Sequence, residues 1–195
     1  MWEPPVSEHI EALCESGLIS RLEQIYVGLV GNIDNCNNVK NYLKGRIRYQ
    51  VVDEKDVGWE QVTMECIRTH IQSHQGCVLY AHTKGSSDPS QINIEWRKSM
   101  TYFDIYHWHE AYDKLKTYDV VGCHWLTHEK WENVGIPIFA GTFWWANIDY
   151  LKTLPPLMYF DRWNAEHWIG CSSKPIKAFD MNPGWPGFQI FKKAK

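Results

Sequence analysis

The stretch VLYAHTKGSSD, residues 78–88, decides how the rest of the chain is read. Val78, Leu79 and Tyr80 have the apolar, β-prone character of a buried strand. Within two residues the chain turns polar, to His82, Thr83 and Lys84, and a flexible turn ending at Asp88 follows. In open α/β sheets, ligands bind just beyond the carboxyl ends of strands. A strand that leaves the core and stops on such groups predicts a ligand edge.

The flanking segments alternate between strand and helix patterns. Ser7 to Glu23 reads as a helix capped by Ser7, with a break at Ser16-Gly17. Ile25 to Gly31 is a short apolar run and predicts a strand. The Asn- and Asp-rich NIDNCNN that follows reads as a loop. Ile47 to Asp53 predicts a second strand that ends on an acid. GWEQVTMECIRTHIQSH is an amphipathic helix and GCVLYAH a third strand. Residues 93–118 read as a helix in two pieces, and Asp119 to Trp125 as a fourth strand. The segment from Ile136 begins as strand, turns at Gly141 and continues as helix from about Asn147 to Leu154, which Pro155-Pro156 ends. DRWNAEHWIGC reads as a further short helix, and the tail as turn-rich. This alternation predicts an α/β domain with a mixed, mostly parallel central sheet flanked by helices. No repeat, low-complexity tract or linker divides residues 1–195, so one domain is expected, alone or within a longer polypeptide.

The 195 residues are 44% hydrophobic, enough for a sizeable core, and carry a formal charge of −3. With a pI near 6.3 this argues against a general nucleic-acid binder. Six cysteines, none spaced as CxxC, read as reduced thiols rather than a disulfide framework. The N-terminus lacks the features of a signal peptide, and no apolar run is long enough to span a membrane. A soluble, cytoplasmic protein is expected. Eleven tryptophans fit either a ring-rich core or a surface that stacks on sugars.

Four constellations carry candidate chemistry. His82-Thr83-Lys84-Gly85, with Asp88 and Arg97, reads either as a diphosphate holder or as a solvated turn before a helix. Phe139 to Ala146 holds Gly141, which allows close backbone approach, and three consecutive rings that cannot all face one core. On DRWNAEHW a carboxylate can serve as base or bind sugar hydroxyls, or Arg162 and Glu166 form a plain i,i+4 pair. His107, His109, His124 and His128 suggest zinc, but i,i+2 residues on a helix face apart, which favours a structural or chance placement. Neither GxGxxG nor a P-loop is present.

Taken together, IYVGLVG, GWEQVT, VLYAHTKGSS, WRKSMTYF, YDVVGCHW, FAGTFWWANIDYLKTLP and DRWNAEHWIG resemble small glycosyltransferase domains of the GT-A type. Such domains occur in bacterial polysaccharide loci and in large algal viruses that glycosylate their own capsids. The resemblance covers about Ser16 to Gly170, and YxHTKG with GxFWWA is specific in combination. It implies a nucleotide-sugar donor, UDP-sugar favoured, and a glycan or glycoprotein acceptor, in a bacterial or virus-infected cytoplasm. It implies Gly31, Asn32 and Asp53 near the base or ribose. Where many such enzymes hold Mn²⁺ or Mg²⁺ with Asp-x-Asp, this chain has His82-Thr83-Lys84. Either His82 and Asp88 hold the metal, or Lys84 and Arg97 replace it. The resemblance further implies a sugar wall of Gly141, Thr142, Phe143 and Trp144. It gives Glu166 as base, beside Asp161 and Arg162, and Lys84 as the stabiliser of the leaving diphosphate. The rival expectation is a non-catalytic carbohydrate-binding relative.

Overall fold

A computed structural model describes residues 2–129, 135–157 and 163–183. Helix α1 spans Glu3–Glu15 and starts four residues before the expected Ser7. Pro4 and Pro5 fit its first turn, where a missing N–H costs nothing. Ser7 is not the cap; its hydroxyl donates to the Pro4 carbonyl. Gly17, at φ 72°, ends the helix in the left-handed conformation and leads into a short 3₁₀ turn, Leu18–Ser20.

Strand β1, Tyr26–Val30, pairs in parallel with β2, Gln50–Lys55. Between them runs helix α2, Ile33–Leu43. The Asn-rich segment read as a loop is therefore helical. Asn32 accepts from the Asn35 N–H and caps it, and Cys36, Val39 and Leu43 form its buried stripe. Helix α3, Gln61–His70, lies so close to β1 that a Cβ on Gly28 would sit 1.8 Å from Thr63 Oγ1. Glycine is what permits that approach.

The larger sheet contains β3 (Cys77–Tyr80), β7 (Trp144–Asn147), β4 (Val120–Gly122) and β8 (Ala178–Asp180), in that spatial order. Strand β7 runs antiparallel to both neighbours, while β4 and β8 are parallel. The sheet is mixed, as expected, but less parallel than expected. The chain reverses at residues 139–142, where the Thr142 N–H bonds the Phe139 carbonyl, and comes back as a strand before turning helical. The expected fourth strand is broken in two by His124, at φ 68°. Asp180 holds this break by accepting from the backbone N–H groups of His124 and Trp125. Past it, β5 (Trp125–Leu126) pairs antiparallel with β6 (Ile138–Phe139).

Helix α4 (Gln91–Thr101), a π-helical turn (Tyr102–Tyr106) and α5 (Trp108–Lys114) realise the two-piece helix. Helices α6 (Ile148–Leu151) and α7 (Trp163–Trp168) complete the fold. Period-two alternation along β7 divides the core. Trp144 packs into a cluster with Tyr80, Phe139 and Trp168, and Trp145 into one with Leu18, Ile105 and Val121. Val6, Leu29, Cys36, Val39 and Leu43 fill a third cluster under β1. No helix among the described residues is long and apolar enough to cross a membrane. All six cysteines are free thiols.

Candidate functional site

Strands β1 and β3 share no ladder among the described residues. Between them lies a cleft of about 1300 Å³, bordered also by α1 and the start of α3. Its walls are mainly apolar. Its polar lining includes His82, Thr83, Lys84, Ser86 and Glu60, with Gly31 at the end of β1.

Gly31, at φ 146°, is held by its N–H to the Lys55 carbonyl, and no atom lies within 4 Å of where a Cβ would be. The turn after β3 is tightly built. Lys84 N–H bonds the His82 carbonyl and Ser86 N–H the Thr83 carbonyl, at 2.8 and 3.0 Å. Gly85 takes φ 82°. Lys84 Nζ sits 4.1 Å from the centre of the Trp96 ring, a cation–π contact. His82 Nδ1 lies 3.0 Å from Glu60 Oε1, and His82 Nε2 lies 2.9 Å from the Gly141 carbonyl.

The structure thus gathers Gly31, His82, Thr83 and Lys84 in one lining. The other expected site residues stand elsewhere. Arg97 is buried, at 2% exposure, and does not open on the cleft. Its Nε and Nη2 bind the Glu8 carboxylate at 2.9 and 3.0 Å, and its Nη1 donates to the Lys84 carbonyl at 2.6 Å. Arg97 is a clamp that fixes the turn from behind. Asp88 accepts from Ser90 and Asn93 at the start of α4. Asn32 is occupied as the α2 cap, and Asp53 accepts from Glu54 N–H and pairs with Lys55. Gly141 does allow close approach, but to the core: a Cβ there would lie 2.5 Å from Met100 Sδ. Thr142 is 2% exposed, and Phe143, Trp144 and Trp145 are all buried, each in a different cluster. The wall of exposed rings is therefore replaced by three core residues. Glu166 lies on α7, which packs against β6 and α3, outside the cleft lining. Asp161 and Arg162 lie outside the described residues.

The His82–Asp88 pair does not fit a divalent cation. Both ring nitrogens of His82 and the Asp88 carboxylate are engaged as above. Among the described residues no group of three or more His, Cys, Asp or Glu could hold a metal ion. The histidines suggested for zinc are scattered: His107 Nδ1 bonds the Tyr102 carbonyl, and His124 Nε2 is 3.3 Å from Ser99 Oγ.

Trp59, Glu60 and His9 also line the cleft, and none is a candidate from the sequence alone. Trp59 is 48% exposed and Glu60 follows it. Both stand in GWEQVT, where an exposed ring directly before a helix was the available signal. His9, on α1, packs edge-on against Phe143, with Nε2 buried and unbonded. Burial, reinforced by the nearby charges of His82 and Arg97, pushes its pKa down to about 3. Nothing in the sequence marks His9, because α1 reaches the cleft only through tertiary packing.

Fold and cleft define a mixed α/β domain with a large, partly polar cavity between the β1 and β3 edges. The chain belongs to a family of domains of unknown function, DUF8361, whose model matches residues 6–188. No curated protein and no solved structure matches it.

Proposed function

We propose that the chain is a glycosyltransferase of GT-A type that moves a sugar from a nucleotide-diphosphate sugar, UDP-sugar favoured, to a glycan or glycoprotein acceptor. The observation that supports this reading is the common lining of Gly31, His82, Thr83 and Lys84 in a cleft large enough for such a donor. In the transfer, the bond from the sugar's anomeric carbon to the diphosphate oxygen breaks. An acceptor hydroxyl oxygen bonds that carbon and gives up its proton to a base. Lys84 and His82 supply hydrogen-bond donors and charge to the leaving diphosphate, which is the main demand of the step. Arg97 acts through the turn rather than on the donor. Glu166, the base that the resemblance implies, lies on α7 outside the cleft lining, so the role of base is left unassigned. Six free thiols are consistent with a reducing cytoplasm as the place of work.

The test is a thermal-shift panel of UDP, GDP, dTDP, CMP and UDP-glucose, each with and without Mn²⁺. At a hundredfold excess over Kd, binding adds about 2.7 kcal/mol and raises Tm by roughly 5–10 °C for a chain of this size. One base should shift Tm and the others should not, with no need for Mn²⁺. If no nucleotide shifts Tm, the reading is wrong. The commitment of Arg97 and Asp88 to the fold favours one alternative, a non-catalytic carbohydrate-binding relative. Slow donor hydrolysis without acceptor separates the two, since a binding module leaves the donor intact.

A further inference from the structure

Glu60 stands at the N-cap position of α3, on the β1–β2 side of the cleft, and His82 follows β3 on the other side. Their side chains meet at 3.0 Å and stay 19% and 17% exposed. Both line the cleft together with Lys84. The Gly141 carbonyl can only accept, so His82 Nε2 donates to it; the Glu60 carboxylate is likewise an acceptor, set against Nδ1. A carboxylate therefore occupies the place on His82 where any other oxyanion would bind.

We propose that Glu60 is an internal stand-in for the donor's diphosphate. Its carboxylate engages His82, and an incoming diphosphate oxygen takes its place. The proposal rests on the nucleotide-sugar reading above and deepens it. The exchange moves no proton: a diphosphate oxygen takes the place of the carboxylate oxygen at His82 Nδ1. It also breaks the side-chain link between the start of α3 and the turn after β3. The carboxylate opposes the diphosphate by like charge until it swings away. Glu60 is in this sense a gate on affinity, selecting for ligands with enough negative charge to displace it. Neutral sugars and nucleosides gain nothing from the exchange.

The experiment is calorimetric titration of inorganic pyrophosphate, a probe that needs no knowledge of the base, into the wild-type chain and Glu60→Gln. The variant keeps the shape and an acceptor but drops the charge. Removing one like charge at this range should tighten pyrophosphate binding by about tenfold. Uridine affinity should stay unchanged. Equal or weaker pyrophosphate binding by a folded Glu60→Gln overturns the proposal. If that variant does not fold, Glu60→Ser, a residue suited to a helix cap, is read the same way. In the wild-type chain, the His82 ring resonances should shift as pyrophosphate is added. Binding with the ring unmoved also overturns the proposal. Should neither protein bind pyrophosphate or any nucleotide of the panel, it is the transferase reading that falls, and the gate with it.

Discussion

Arg97 binds the Glu8 carboxylate with two nitrogens and the Lys84 carbonyl with a third, from a position with almost no solvent access. Removing the guanidinium leaves a carboxylate and a carbonyl without their donor. Arg97→Ala should therefore cost about 3 kcal/mol in urea unfolding. Arg97→Lys should recover only part, because an ammonium cannot make the two-pronged contact. Gly141 is a second point where the site's frame is vulnerable. At φ 91°, with Met100 Sδ 2.5 Å from a Cβ position, Gly141→Ala should cost about 2 kcal/mol in the same assay. The sequence showed that both residues mattered but not in what way. An Arg near a Lys-Gly turn reads the same whether it faces a ligand or holds the turn from beneath. Three consecutive rings looked like too many for one core, and so they are: Phe143, Trp144 and Trp145 each enter a different cluster.

Helix α2 shows how composition misleads at the level of an element. Asn and Asp favour turns and helix N-caps for the same reason, a short side chain that bonds nearby backbone. The deciding signal was the spacing of Cys36, Val39 and Leu43, which puts three apolar side chains on one helical face. Asn32→Ala should lower stability by about 1 kcal/mol, measured by thermal unfolding. It should leave pyrophosphate affinity within twofold, since Asn32 is outside the cleft lining. The strands β1, β2, β3 and β4 were legible because continuous apolar runs end at clear turn signals. Strand β7 was not, because its residues face buried surroundings on both sides and so show no polar alternation. Strand β8 is three half-buried residues, too short for any pattern.

At the scale of the whole molecule, three buried titratable groups set a pH optimum. Burial raises the Asp104 carboxyl from its ordinary 3.8 to about 8, and it lowers His9 to about 3 and His124 to about 4 from 6.5. Between pH 4 and 6.5 the unfolded chain holds two histidine protons that the native state lacks, and lacks the Asp104 proton that the native state keeps. The net excess of one proton in the unfolded state makes stability rise with pH, by about 1.4 kcal/mol per unit. From pH 6.5 to 8 Asp104 dominates, with the native state holding the extra proton, so stability falls; toward pH 9 the cysteine thiols, which burial pushes up, extend the fall. Unfolding scans from pH 4 to 8 should peak near pH 6.5, and Asp104→Asn should remove most of the fall between pH 6.5 and 8. None of this was visible in the sequence, where these residues are only one Asp and two His among many. The gap between β1 and β3 has a consequence for how the protein fares in concentrated solution. Unpaired strand edges are templates for other chains, and among the described residues two of them, on β1 and β3, border the cleft beside α1 and α3. Loosening the helices would uncover both at once while each strand is still formed. Precipitation on gentle warming should thus begin from nearly native molecules rather than from unfolded ones, and a ligand that draws the edges together should delay it.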